Sequence, residues 1–214
     1  FDARLAAKNR HNLATKGLFL LSRLGFSLIG VFLFAAAINL QNSGFGPFGY
    51  ALAGVLTVLA GAAYSLIIER WTLGFGRLEE KYTSIYEPYF WWHERHWKLS
   101  DNAAVMALFN GTPFKGLVWR LAGVKVGRQL FDDGCGMTER SLVIIGDHVT
   151  LGAQATLQSH TMEDQTFKSG YITVGNDVTL GANSYTNYGA VVGDGALLLP
   201  DSFLMKGEQV PAGS

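Results

Sequence analysis

From Ile145 to Leu204 the sequence repeats every six residues, and that period constrains the fold more than any other feature of the chain. Ile145, Leu151 and Leu157 form one register, and Val174, Leu180, Thr186, Val192, Leu198 and Leu204 form another. Glycine follows five of these nine positions, at Gly146, Gly152, Gly175, Gly181 and Gly193. Four residues after a key position stands an aliphatic or small side chain, as in Val149, Ala155, Val178, Ser184, Ala190 and Ala196. An α-helix, with about 3.6 residues per turn, cannot use a period of six. A triangular solenoid can: each side is a short strand, the aliphatic residue stacks inside, the small one fits the corner, and Gly or Asn-Asp makes the turn. The spacing therefore predicts a left-handed parallel β-helix.

The two registers lie 17 residues apart at their junction, Leu157 to Val174, so the frame breaks and a loop is expected to leave the coil between Gln158 and Tyr171. Segments that depart from a solenoid commonly carry its binding face. His160 is the expected general base there, because imidazole titrates near neutral pH and can take a proton from an attacking amine or hydroxyl. Glu163 and Asp164 are close in sequence, and either is expected to orient His160 or to hold the ammonium of a cationic acceptor. His148 sits in a regular coil turn, where side chains point outward, and is a lesser candidate.

A second cluster precedes the clear repeats. Asp132, Asp133 and Glu139 fall within eight residues and are expected to line an anionic acceptor pocket, unless Arg140 neutralises one of them or the loop is simply solvated. Cys135 stands between two glycines, where an acyl-accepting nucleophile is conceivable but has no base beside it in the sequence.

The front of the chain obeys different rules. Leu18 to Leu40 is almost wholly apolar, and Gly49 to Ile68 is a second run with no charge. At about 1.5 Å per residue each is long enough for a bilayer core of roughly 30 Å. Arg4, Lys8, Arg10 and Lys16 precede the first run, Arg70 and Arg77 follow the second, and the connection around Gln41 to Gly44 has no basic residue. Both ends of the hairpin are then expected on the cytoplasmic side, with Arg23 snorkelling from one turn inside the first span. Tyr82, Tyr86, Tyr89, Phe90, Trp91, Trp92 and Trp97 give the aromatic density of an interfacial belt. His93 and His96, three residues apart, would share a helix face, which is weak evidence for a metal site; none is predicted.

Formal net charge is zero, but residues 1–128 hold 14 Lys and Arg against 7 Asp and Glu, and residues 129–214 hold 3 against 10. A basic front beside apolar runs suits an anionic membrane surface, and an acidic back suits a cationic substrate, although turn-forming Asp is also common in repeat coils. The basic residues lie beside the apolar runs and not on a folded face, so nothing points to nucleic acid. A single cysteine excludes an internal disulfide and suits a reducing compartment. The start at Phe1 and the stop at Ser214 read as a piece of something longer.

Over roughly Tyr86 to Pro211 the chain resembles the C-terminal domain of membrane-bound nonribosomal peptide synthetases of the epsilon-poly-L-lysine synthetase type. The resemblance is carried by Pro88 to Arg95, Leu108 to Lys115, Phe131 to Cys135, Thr138 to Arg140, His160 to Lys168 and Asp201 to Glu208. It implies the last membrane-helix pair and last soluble domain of a large enzyme, in the cell membrane as a multi-pass protein with its soluble domain cytoplasmic. An upstream adenylation domain would use ATP, and a thiolation domain would present an aminoacyl thioester on phosphopantetheine. Sister hexapeptide domains of the same synthetase would be its partners in an oligomer-like assembly.

The expected organisation is a basic lead-in over 1–17, a transmembrane helical hairpin over 18–70, an aromatic-rich interfacial linker helix over 71–107, and the β-helix over 108–214. The expected activity is peptide-bond-forming aminoacyl transfer to a cationic amino acid or oligomer. His160 and Glu163 would be catalytic, and Asp132, Asp133, Glu139, Asp164 and Asn110 would bind substrate. A coenzyme A-dependent acetyltransferase and a noncatalytic scaffold are the alternatives.

Overall fold

The apolar runs form two long helices. In the computed structural model, which describes residues 2–100 and 103–214, α1 spans Asp2–Leu40, so the basic lead-in is continuous with the first apolar helix. A π-helical turn over Gln41–Phe45 reverses the chain, with Gly44 and Gly46 at positive φ, and Pro47 opens α2 (Pro47–Thr72). Proline suits a first helical turn because its missing N–H has no partner there anyway. Small residues let the two helices approach closely: a side chain at Gly61 would meet the ring of Phe26 at 3.2 Å. The Tyr64 hydroxyl donates to the Ser22 carbonyl at 2.6 Å, and the rings of Phe26 and Tyr64 lie 5.9 Å apart.

The outer faces of both helices, including Leu21, Phe32, Phe34, Leu52 and Val55, are exposed. Both helices are long and apolar enough to cross a membrane. The Arg23 guanidinium lies 5.0 Å from the centre of the Phe19 ring, one turn back toward the basic end. Of α3 (Pro88–Ser100), the part from Trp91 onward clusters with these helices in one of two compact units. There Arg95 Nε donates to Thr15 Oγ1 at 2.9 Å, and His96 Nδ1 lies 2.8 Å from Thr72 Oγ1. His93 and His96 are both buried, with ring centres 6.1 Å apart.

The second unit comprises Phe75–Phe90 and Met106–Ser214. It therefore begins well before residue 108, and 71–107 is not one linker helix: Lys81–Ser84 is a strand, β1. The short α4 (Ala103–Ala107) is followed by α5 (Lys115–Ala122), which packs Val118, Trp119 and Ala122 into the start of the solenoid and stops at Gly123 in a left-handed cap.

The solenoid follows coil by coil. The first coil is β2 (Lys125–Val126), β3 (Phe131–Asp132) and β4 (Gly136–Met137); the second is β5 (Val143–Ile145), β6 (Thr150–Leu151) and β7 (Thr156–Gln158). A hairpin, β8 (His160–Glu163) and β9 (Thr166–Ser169), interrupts it. The third coil is β10 (Ile172–Val174), β11 (Thr179–Leu180) and β12 (Tyr185–Asn187); the fourth is β13 (Val191–Val192), β14 (Leu197–Leu198) and β15 (Phe203–Leu204), and β16 (Gln209–Val210) opens a fifth. Corresponding strands pair in parallel, giving three sheets.

Their register reproduces the repeat. Val126, Ile145, Val174, Val192 and Val210 form one column, Asp132, Leu151, Leu180 and Leu198 a second, and Met137, Leu157, Thr186 and Leu204 a third. Val149, Ala155, Val178, Ser184, Ala190 and Ala196 are buried between the columns. Each Val or Leu sealed this way contributes about 1.5–3 kcal/mol. Gly181 makes a corner where a Cβ would meet backbone: Pro200 N lies within van der Waals exclusion of that position. The first coil escaped the repeat because it carries Asp132 in an interior column and steps five residues, not six, from Asp132 to Met137.

The expected loop does leave the coil between Gln158 and Tyr171, but as an ordered hairpin. Glu163 faces Thr166 across a two-residue turn in which Asp164 and Gln165 both have positive φ. Such a turn matches the right-handed twist of the flanking strands. β1 adds to β9 antiparallel, with Tyr82 opposite Lys168, and Phe167 is fully buried beside Phe90 at a ring separation of 5.6 Å.

Candidate active site

His160 is the first residue of β8, placed where the chain turns out of the coil. That turn is pinned at Ser159: its N–H donates to Thr138 Oγ1 at 2.9 Å, and its carbonyl accepts from Gly170 N at 3.0 Å. The imidazole lies along the Phe167 ring at 5.7 Å. Its Nδ1 is 2.8 Å from Oε2 of Glu139, a side chain that is 0% exposed. Glu139 follows β4 in the coil below, and its carbonyl accepts from Leu142 N at 2.8 Å, which fixes the turn that points its carboxylate at His160. Thr138 Oγ1 donates to the same Oε2 at 2.7 Å.

The geometry assigns the tautomer. A carboxylate at Nδ1 keeps the proton there and leaves the lone pair of Nε2 to accept. The Gln158 side-chain amide nitrogen lies 3.1 Å from Nε2 and 3.5 Å from Nδ1, so it sits beside the ring and leaves the in-plane lone pair of Nε2 open. Tyr89 lies within electrostatic range of the same carboxylate. Burial first, then the negative charges of Glu139 and Glu79, hold its phenol above the ordinary tyrosine range. The arrangement is that of a base oriented by a buried acid.

The remaining expected residues lie elsewhere. Glu163 does not orient His160. Three residues along a strand puts the two on opposite faces, roughly 10 Å apart. Glu163 instead pairs with Lys168 at 3.4 Å and with Lys206. Asp164 is an exposed turn residue whose carbonyl accepts from Thr166 Oγ1. Asp133 is exposed beside β3, and its N–H donates to the Leu151 carbonyl.

Asp132 is not a pocket lining but a core residue. One oxygen accepts from the Trp119 indole, and the other from the N–H groups of Gly134 and Cys135 at 2.8 and 2.7 Å. Asn110 belongs to the same knot: its Oδ1 accepts from the buried Lys115 ammonium at 2.7 Å, and Lys115 also donates to the Met106 carbonyl at 2.8 Å. Burial pulls the Lys115 ammonium down, against the opposing pull of Asp132. Cys135 is buried in this knot, and burial followed by the Asp132 charge raises its thiol well above the ordinary range. A thiol held protonated is a poor nucleophile. His148 is half exposed in a left-handed turn, with Nδ1 3.3 Å from Asp177 Oδ1.

So the expected set divides: His160 meets Glu139, Asp132 and Asn110 belong to a separate buried knot, and Asp133, Glu163 and Asp164 join neither. Thr138, Gln158 and Tyr89 were missed as site residues. Thr138 and Gln158 are the immediate or next neighbours of the pair and could have been found by reading outward from it; Tyr89 comes from a segment whose aromatic density suggested a membrane surface.

Comparison with known proteins agrees with the repeat. The hexapeptide repeat of succinyl-transferase matches residues 171–198. The chain is 32% identical over 180 residues to the delta-poly-L-ornithine synthetase of Acinetobacter baumannii, a match covering 83% of this chain and 13% of that protein. The chain thus spans about an eighth of that relative's length. Among solved structures, a hexapeptide-repeat-containing acetyltransferase from Vibrio cholerae is 16% identical, covering 72% of this chain and 84% of that one at a TM-score of 0.42. The serine acetyltransferase isoform 3 of Entamoeba histolytica, in complex with cysteine, is 12% identical, covering 85% and 69% at 0.36. The chain carries a hexapeptide-repeat β-helix domain and is similar, over most of its length, to part of a poly(amino acid) synthetase.

Proposed function

We propose that this domain transfers an aminoacyl group to the amine of a cationic amino acid or growing oligomer, within a membrane-bound poly(amino acid) synthetase. The observation that carries the reading is the 2.8 Å contact between His160 Nδ1 and the buried Glu139 carboxylate, in a chain similar to a poly-ornithine synthetase. An ammonium cannot attack a thioester, so the acceptor must lose a proton first. His160 Nε2 takes that proton, and Glu139 steadies the imidazolium that results. The neutral amine nitrogen then forms the new C–N bond and the C–S bond breaks; of the two protons the nitrogen gives up in all, one leaves with the thiolate as the thiol and the other passes through His160 to solvent.

In this reading the acceptor amine approaches along the Nε2 lone pair, with the Gln158 amide beside the ring. The donor is carried in as a substrate on the phosphopantetheine of a thiolation domain that lies outside this chain, after activation with ATP by an adenylation domain. Its polar arm would run over the outward face of the sheet that holds β7, where the half-buried Thr156, Gln158 and Tyr185 carry polar groups. The two apolar helices hold the domain at the cell membrane, with the β-helix on the cytoplasmic side, and sister domains of the same synthetase sit beside it.

The test is single-turnover transfer from an aminoacyl-pantetheine thioester in the full-length protein. His160→Ala is expected to lower the rate constant by at least about 100-fold in the fraction that stays folded. An unchanged rate overturns the reading, and turnover of acetyl coenzyme A with simple amines, at the rate of the aminoacyl donor or above it, replaces it with an acetyltransferase.

A further inference from the structure

The helical unit contains a groove that plays no part in the chemistry above. It is a cavity of about 1060 Å³ between the basic end of α1 and the last turn of α3. Its apolar lining includes Phe19, Leu20 and Trp97, and its polar lining Lys16, Lys98 and Asn12. Among the described residues that line it, none is acidic. Glu94, one turn back on α3, holds Lys98 at 2.9 Å, so Lys16 supplies the less neutralised charge.

The position of the groove along α1 matters. It straddles the point where Arg4, Lys8, Arg10 and Lys16 give way to the mostly apolar stretch beginning at Leu18. If α1 crosses a bilayer, as the reading of this chain as a membrane protein requires, this is headgroup depth. A ligand there needs an apolar body lying along Phe19 and Leu20 and an anionic end meeting two ammonium groups and an amide. A lysine at an anionic bilayer surface contributes about 5-fold in affinity. Trp97 supplies the amphipathic ring that favours this depth.

We infer that the groove between α1 and α3 binds one anionic phospholipid, its acyl chain on Phe19, Leu20 and Trp97 and its phosphate between Lys16 and Lys98. The occupant is a lipid and not a soluble phosphate, because most of the lining is hydrocarbon and only a tailed ligand would cover it. The site rests on the membrane reading but not on the transfer reaction.

The full chain, reconstituted in vesicles, is titrated with acyl-brominated phosphatidylglycerol or acyl-brominated phosphatidylcholine, and tryptophan quenching is followed. The signal of interest is the part lost in Trp97→Phe. Half-quenching is expected at about a 5-fold lower mole fraction of phosphatidylglycerol than of phosphatidylcholine. Lys16→Gln with Lys98→Gln is expected to remove that preference at unchanged helix content, and Glu94→Gln, which leaves Lys98 unneutralised, to enlarge it. Equal quenching by both lipids, or a preference that survives the double substitution, overturns the site while leaving the membrane reading intact. No quenching of Trp97 by either lipid overturns both.

Discussion

Glu139 Oε2 meets His160 Nδ1 at 2.8 Å although 21 residues separate them, because one turn of the solenoid brings the end of β4 beneath the end of β7. The pair is thus a product of stacking: each residue follows the same corner of successive coils. Substitutions that respect the stack but change the chemistry distinguish the members of the site.

Glu139→Gln keeps the shape of the side chain but removes the charge that favours the imidazolium. It is expected to lower kcat by about 100-fold or more with a much smaller change in KM, in steady-state aminoacyl transfer. Glu163→Gln is expected to leave kcat within about 3-fold, because Glu163 faces Lys168 and Lys206 and not the imidazole. Equal losses from the two substitutions would reverse the assignment.

Asp132 is expected to matter for stability and not for acceptor binding. Asp132→Ala leaves the Trp119 indole and the N–H groups of Gly134 and Cys135 buried without their acceptor. Denaturant unfolding of the full chain should show a loss of about 2–4 kcal/mol. KM for a cationic acceptor should not move in the fraction that stays folded.

The thiol of Cys135 is raised, so at neutral pH its thiolate fraction is smaller than that of an ordinary cysteine. Alkylation by iodoacetamide at pH 7 to 8 is expected to be negligible in the folded protein and rapid once it is unfolded. The labelling rate should keep rising with pH beyond the value at which a free thiol has levelled off. Rapid labelling of the folded protein at pH 7 would restore the nucleophile reading.

Gln165 occupies a left-handed position at φ 60 in the hairpin turn. Gln165→Gly relieves the Cβ clash at that position and gives the Asp-Gly pair that such turns favour. The hairpin is expected to gain roughly 0.5–1 kcal/mol, read as slower amide exchange at Phe167 and Ser169. Gln165→Val should do the opposite.

The β-helix was legible because its rule is local and repeated. Every sixth residue faces the interior whatever lies around it, so Leu151, Leu180 and Leu198 announce their column in the sequence alone. The two apolar helices were legible for a similar reason, since length and lack of charge are counted along the chain. The first coil was hidden because Asp132 breaks the apolar code, and its burial makes sense only once Trp119 has been folded over it.

The site divides along the same line. His160 could be found because a break in the frame and an imidazole coincide in one short segment. Its partner could not, because proximity in sequence favoured Glu163 while the geometry of a strand turns residues 160 and 163 to opposite faces. Sequence by itself determined the period, the helices and which histidine stands at the break in the frame; which carboxylate meets that histidine was decided by the stacking of one coil on the next, because only that stacking converts a separation of 21 residues into a hydrogen bond.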